Sequence, residues 1–197
     1  MFKPKSMRAA VLALAVASGA ANLSTPAQAE EVYLIRGAFD VFSDGMNQMT
    51  RQLQGRGVNA KAYSNGAWSG LADSIIKRSK TSQVSYPIVI MGHSVGGQEA
   101  SQMANKLGRA GVPVALVVGF DPGFAPPAPF AAGSARVVNF YIANSGRGNP
   151  YKAAAGFGGT IQNIDIRSFT SADHVGMDKD RAVQSRAVGL VLATVGN

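Results

Sequence analysis

The feature that most limits the fold of this chain is a Gly-x-Ser-x-Gly turn set between an apolar run and a helical segment. It reads Pro87-Ile-Val-Ile-Met-Gly92-His93-Ser94-Val95-Gly96-Gly97-Gln98. Pro87–Met91 is apolar and β-branched, and Ala100, Met103, Ala104 and Leu107 follow at helical period until Gly111 and Pro113. A serine aimed outward from so sharp a strand-to-helix turn requires a strained backbone. Residues two before and two after it then crowd together, so Gly92 and Gly96 of this elbow must lack side chains. The helix N-terminus also directs amide hydrogens and a positive dipole end beside the hydroxyl.

The rest of the chain supplies the context this turn needs. Apolar, β-branched runs recur at Val32–Arg36, Val58–Tyr63, Pro87–Met91, Val114–Phe120, Arg136–Ile142 and Ile161–Arg167. Several are nearly continuous, as in strands buried on both faces of a parallel sheet. Met46, Met49 and Leu53 form a helical stripe after a candidate N-cap, Ser43, and Trp68, Leu71, Ile75 and Ile76 form another. A last helix is expected from near Asp178, carrying Val183, Ala187, Leu190 and Val191. This alternation predicts an α/β fold: one open, mainly parallel, doubly wound sheet of about six strands with flanking helices. Residues 121–134 and 143–160 are rich in Gly, Pro or Ala without helical period and read as long loops. They leave the direction of the last strand open.

Residues 1–29 have the three parts of a secretory signal peptide: basic Lys3, Lys5 and Arg8, the apolar run Ala9–Ala17, and the A-x-A site Ala27-Gln28-Ala29. The apolar run is too short to span a bilayer, which takes about 20 residues. The expected mature domain is 30–197, exported to the periplasm or beyond. The whole chain has a formal charge of +8. Removal of the three leader cations would leave 16 basic and 11 acidic residues, a net +5. The remaining cations are scattered without an aromatic-interleaved stripe, which argues against a nucleic-acid partner. They favour only weak attraction to anionic envelope surfaces or lipids. The absence of cysteine excludes a disulfide scaffold, thiolate-ligated zinc and a cysteine nucleophile, and two histidines exclude a site built on several imidazoles.

A serine nucleophile needs a base, and there are two candidates. His93 adjoins Ser94 on the turn and projects away, so it is better explained as a packing or hydrogen-bonding residue. His174 follows the last strand run, where catalytic groups collect in open α/β sheets. For the acid, Asp121 ends the run Val114–Phe120, one strand after the serine, and gives the order Ser, acid, His. Asp173 adjoins His174 and diverges from it, Asp165 lies in a strand run, and Asp178 and Asp180 are explained by helix capping. Asp40 and Asp44 come before the serine, in the wrong order. The Val95 amide is the first oxyanion donor expected. The second falls in Arg36-Gly37-Ala38-Phe39, with Ala38 the choice and Phe39 its neighbour.

These residues resemble the α/β-hydrolase superfamily in its small lipase- and thioesterase-like branch, most specifically at Gly92–Gly97, Phe120-Asp121-Pro122 and Asp173-His174-Val175. The resemblance implies a Ser94–His174–Asp121 triad, an acyl-enzyme intermediate, and neither cofactor nor metal. Three departures stand out. The family's usual acid position would fall near Ala143-Asn144, whereas thioesterase-like members place it one strand earlier, as at Asp121. The first two strands of the full eight are missing. Arg36-Gly37 stands where many members have His-Gly. No helical lid is evident, and Pro122–Phe130 is expected to wall one side of a pocket.

The resulting expectation is a secreted or periplasmic serine hydrolase of carboxylic esters or thioesters, with a small-molecule or lipid acyl substrate. Two other readings stay open: a non-catalytic envelope binding protein on a hydrolase scaffold, and an acyltransferase using the same three residues.

Overall fold

The computed structural model describes residues 30–38 and 44–196. Residues 1–29, expected to be a leader, and Phe39, Asp40 and the candidate cap Ser43 lie outside them. Six strands form one sheet: β1 (Glu31–Ile35), β2 (Ala60–Tyr63), β3 (Ile88–His93), β4 (Val114–Phe120), β5 (Ser134–Tyr141) and β6 (Thr160–Asp165). Their spatial order is β2-β1-β3-β4-β5-β6, and every neighbouring pair is parallel. The expected fold class holds, and the open question of the last strand is answered. β6 runs parallel to β5, paired from Arg136↔Thr160 to Tyr141↔Asp165.

Four helices cover the sheet: α1 (Asp44–Gln54), α2 (Trp68–Ser79), α3 (Val95–Arg109) and α4 (Arg181–Val195). The period-2 alternation of each central strand divides its side chains between two cores. Val32, Leu34, Val89, Met91, Val118 and Phe120 pack with Met46, Met49 and Leu53 of α1 and Val183, Ala187 and Val191 of α4. Tyr33, Ile35, Ile88, Ile90 and Val117 pack on the other face with Ala72 and Ile75 of α2 and Ala100, Met103, Ala104 and Leu107 of α3. The near-continuous apolar strands are therefore explained by burial on both faces. Among the described residues, no helix is long and apolar enough to cross a membrane.

Three boundaries move for local reasons. Val58 is buried but not in β2, because its amide donates to Leu53 O and so ties it to the end of α1. The last strand stops at Asp165, whose carboxylate accepts the Arg167 amide and pairs with its guanidinium, turning Ile166–Ser168 into a 3-10 turn. The final helix begins at Arg181, not near Asp178. Its N-cap is Asp180, which accepts from the amides of Ala182 and Val183.

Asp178 is consequently not a cap of α4. It is fully buried and faces the Gly45 and Met46 amides at the start of α1. Neither carboxylate oxygen completes a hydrogen bond among the described residues. Burial pushes its pKa up to about 7. A carboxyl raised in the folded state binds more protons folded than unfolded, so its contribution favours folding at low pH and is lost as pH rises from about 4 to about 7. Asp178→Asn, which cannot ionise, should therefore melt higher than the parent at pH 8, with the gap closing toward pH 4. A parent as stable as the variant at pH 8 would contradict a buried, poorly solvated carboxylate.

Candidate active site

The sheet order reverses between β1 and β3: β2 lies outside β1, and all later strands lie beyond β3. The crevice at the carboxyl ends of such a strand pair is where open α/β sheets bind ligands, because the two following loops diverge there. Ser94 follows β3 and Ala38 follows β1, so both sit at this crevice.

Ser94 has φ 55° and ψ −119° and is nearly buried. Positive φ is uncommon for a residue with a Cβ, and this one is imposed by close packing on both sides. A Cβ on Gly92 would lie 2.1 Å from Gly96 O, and one on Gly96 would lie 2.3 Å from Ile35 O. The amide of Ser94 donates to Phe120 O at 2.9 Å, which anchors the turn to β4. The steric role expected of the two glycines is thus observed, and Gly96 also wedges α3 under the end of β1.

The structure brings Ser94, His174 and Asp121 together across intervals of 80 and 53 residues. His174 Nε2 lies 3.0 Å from Ser94 Oγ, and His174 Nδ1 lies 2.7 Å from Asp121 Oδ2. Asp121 is fully buried, has φ 48°, and follows β4 directly. Its other oxygen accepts the Ile142 amide at 2.9 Å, a donor supplied by the residue just after β5. With a carboxylate as partner, Nδ1 of His174 carries the hydrogen and Nε2 is left to accept from the serine hydroxyl.

His93 takes the bland role anticipated for it. It is buried beside the turn, and its Nε2 donates to the backbone oxygen of His174 at 2.8 Å. Burial holds its pKa down to about 4, so it stays a neutral donor near neutral pH. The other acids are engaged elsewhere. Asp173 accepts the Gly176 amide, and Asp44 accepts from Asn47 and Gln48.

Val95 is the first residue of α3, and its amide has no helical acceptor. Ala38 lies in the turn after β1, whose last carbonyls touch Gly96. Among the described residues no acceptor takes either amide. Phe39, the neighbouring choice, lies outside them. Also among the described residues, no three Asp, Glu or His side chains converge as a metal site would require.

Several site residues carried no signal of their own in the sequence. The loop after β5 closes over the acid: a Cβ on Gly148 would lie 1.6 Å from Asp121 Oδ1. That loop is tied down by the Gly123↔Gly148 bridge and by Asn149, whose amide donates to Pro122 O at 2.9 Å. Gln98 of α3 donates to the carbonyls of Gly123 and Ala125, fixing the segment that flanks Phe124. Tyr151, buried, donates to Gly97 O at 2.6 Å. The glycines at 146, 148, 156, 158 and 159 are the one hint in the sequence, and they read equally as a loose connection.

No protein-family model matches this chain, and no curated protein matches it. Solved structures do. The type II thioesterase BorB from the borrelidin biosynthetic cluster superposes with a TM-score of 0.54 at 10% identity, covering 86% of this chain and 92% of that one. An acetylxylan esterase gives 0.51 at 15% identity, covering 86% and 99%. RedJ, the thioesterase of the prodiginine pathway in Streptomyces coelicolor, gives 0.50 at 10% identity, covering 84% and 86%. The chain therefore has an α/β-hydrolase-like fold.

The contact between Gly148 and the acid generates a prediction. Gly148→Ala should displace the Asp121 carboxylate and slow modification of Ser94 by a fluorophosphonate at least about tenfold, without loss of the folded circular-dichroism spectrum. Unchanged labelling would show that the loop does not hold the acid.

Proposed function

We propose that this chain is an exported serine hydrolase that cleaves carboxylic esters or thioesters through an acyl-enzyme on Ser94. The observation that carries the proposal is the hydrogen-bonded chain Ser94 Oγ–His174–Asp121 at the sheet's reversal point, with Ser94 held at positive φ. The structural neighbours are thioesterases and an acetylxylan esterase, which supports ester or thioester substrates. The basic and apolar leader pattern with Ala27-Gln28-Ala29 supports export.

In this mechanism Ser94 Oγ attacks the acyl carbonyl while His174 Nε2 takes its proton. Asp121 stays ionised, orients the ring and stabilises the imidazolium as it forms. Amides of Val95 and Ala38 receive the developing oxyanion, aided by the N-terminus of α3. His174 then protonates the leaving oxygen or sulfur. Water, deprotonated by the same ring, releases the acid from Ser94. His93 is a positioning residue, since its bond to the His174 carbonyl holds that loop against the elbow.

A fluorophosphonate should label residues 30–197 on Ser94, and Ser94→Ala should abolish both labelling and hydrolysis of short-chain nitrophenyl esters. Absence of labelling in folded protein, beside a control esterase that labels, would overturn the proposal. Labelling without release to water, but with transfer to an added acceptor, would redirect it to acyl transfer.

The acid is tested separately. Asp121→Asn leaves the shape intact but favours the wrong imidazole tautomer, and should lower kcat by about 10³–10⁴. A fall below about tenfold would remove Asp121 from the mechanism.

A further inference from the structure

The cleft that His174 borders has an uneven lining among the described residues. It encloses about 490 Å³ and is walled by Phe124, Gly146, Arg147 and His174. Phe124 is 80% exposed and sits at φ 69°. A bulky residue at positive φ is strained, and exposing the ring gains nothing for the core. The carbonyls on both sides of it, of Gly123 and Ala125, are gripped by Gln98, so the strained pose is held rather than incidental. Strain of this kind collects at ligand sites.

Arg147 faces the same cleft. It is exposed, and among the described residues no carboxylate pairs with its guanidinium. Its backbone is not loose. The Arg147 amide donates to Ser145 Oγ, the next residue bridges to Gly123, and Asn149 donates to Pro122 O. A Cβ built on Gly123 would lie 3.0 Å from His174 Cε1, 3.2 Å from Ser94 Oγ and 3.4 Å from Arg147 O. The Arg147 main chain is thus fixed close to the Ser94–His174 pair.

Resting on the hydrolase reading above, we infer that this cleft selects esters whose leaving group carries an anionic oxygen cluster, carboxylate or phosphate, with Arg147 as the anion-binding residue and Phe124 as the apolar wall. The side of the substrate follows from the chemistry. The Ser94 Oγ–acyl carbon bond forms, the bond from that carbon to the leaving oxygen breaks, and the proton on His174 Nε2 passes to the leaving oxygen. The leaving group must therefore lie on the His174 side, and His174 shares its cleft with Arg147 and Phe124. A guanidinium fork matches carboxylate and phosphate oxygens, and a cleft beside low-dielectric walls strengthens the attraction.

The test compares matched esters on the mature chain at low salt, each normalised to its rate with hydroxide. The leaving-group pair is 3-acetoxybenzoate against 3-acetoxybenzamide, with 3-acetoxyphenyl phosphate as the phosphate arm. The acyl-side pair is monophenyl succinate against phenyl butyrate. The ratio of kcat/KM, anionic over neutral, should be about tenfold for the leaving-group pair and near one for the acyl-side pair. Arg147→Glu should bring the leaving-group ratio to one or below, Arg147→Lys, which keeps the charge but not the fork, should keep only part of it, and 0.5 M salt should shrink it. Whichever of the carboxylate and phosphate arms gains more names the anion. Phe124→Ala should lower kcat/KM for both members of the leaving-group pair and leave their ratio unchanged. A leaving-group ratio near one, or one that survives Arg147→Glu, overturns the inference, and so does an equal gain on the acyl side. Binding is read independently by NMR titration of Ser94→Ala with 3-hydroxybenzoate and 3-hydroxybenzamide. If no ester is hydrolysed, the hydrolase reading fails alone, and tighter binding of the anion through Arg147 still upholds the cleft's selectivity, whereas equal binding overturns it.

Discussion

The contact on which the site depends is backbone against backbone: Gly92 packs on Gly96, and Gly96 packs on the last carbonyls of β1. No side chain fits in either place, so the chain must leave β3 in a single sharp turn and enter α3 at once. That turn imposes the positive φ of Ser94, lifts its hydroxyl above the sheet, and sets the first amide of α3 beside it. Because the packing partner is β1, the elbow is also fixed at the reversal of strand order, where the loops after β1 and β3 separate. Strain at one residue is thus sustained by the rigid parallel sheet beneath it.

A second constraint works from the far end of the sheet. Asp121 is a fully buried acid, and such a group is costly to ionise unless its oxygens are satisfied. One oxygen takes the His174 ring and the other takes the amide that follows β5. The loop beyond β5 then closes on it, with Gly148 leaving no room for even a methyl group. The long irregular connection between β5 and β6 is therefore not slack. Asn139 and Asn163 share a hydrogen bond across the two strands, Asn163 also holds Tyr151, and Tyr151 reaches back to the helix after Ser94. The same connection carries Arg147 to the mouth of the site.

The legible parts were those in which one residue's chemistry has a local cause. Apolar runs without alternation announce strands covered on both faces, and the Met46, Met49, Leu53 stripe announces a helix against them; all three residues are fully buried. Glycines two either side of a serine announce the elbow. With two histidines in the chain, elimination could choose His174 because His93 is confined to the turn by covalent geometry. The illegible parts have causes far away in sequence. Asp178 reads as a helix cap, since acids before a helix usually are, yet it is buried against the start of α1, more than 130 positions earlier. Gly148 reads as one more loop glycine.

The sequence by itself determined the sheet, the elbow, and the order of serine, acid and histidine, because periodicity and steric exclusion act over a few residues. Only the tertiary structure decided that β6 is parallel, that Ser94, His174 and Asp121 meet within hydrogen-bond distance, and that Phe124 and Arg147 share a cleft with His174. Those relations join segments tens of residues apart. They are set by how two layers of helices and one twisted sheet close-pack, which no local pattern encodes.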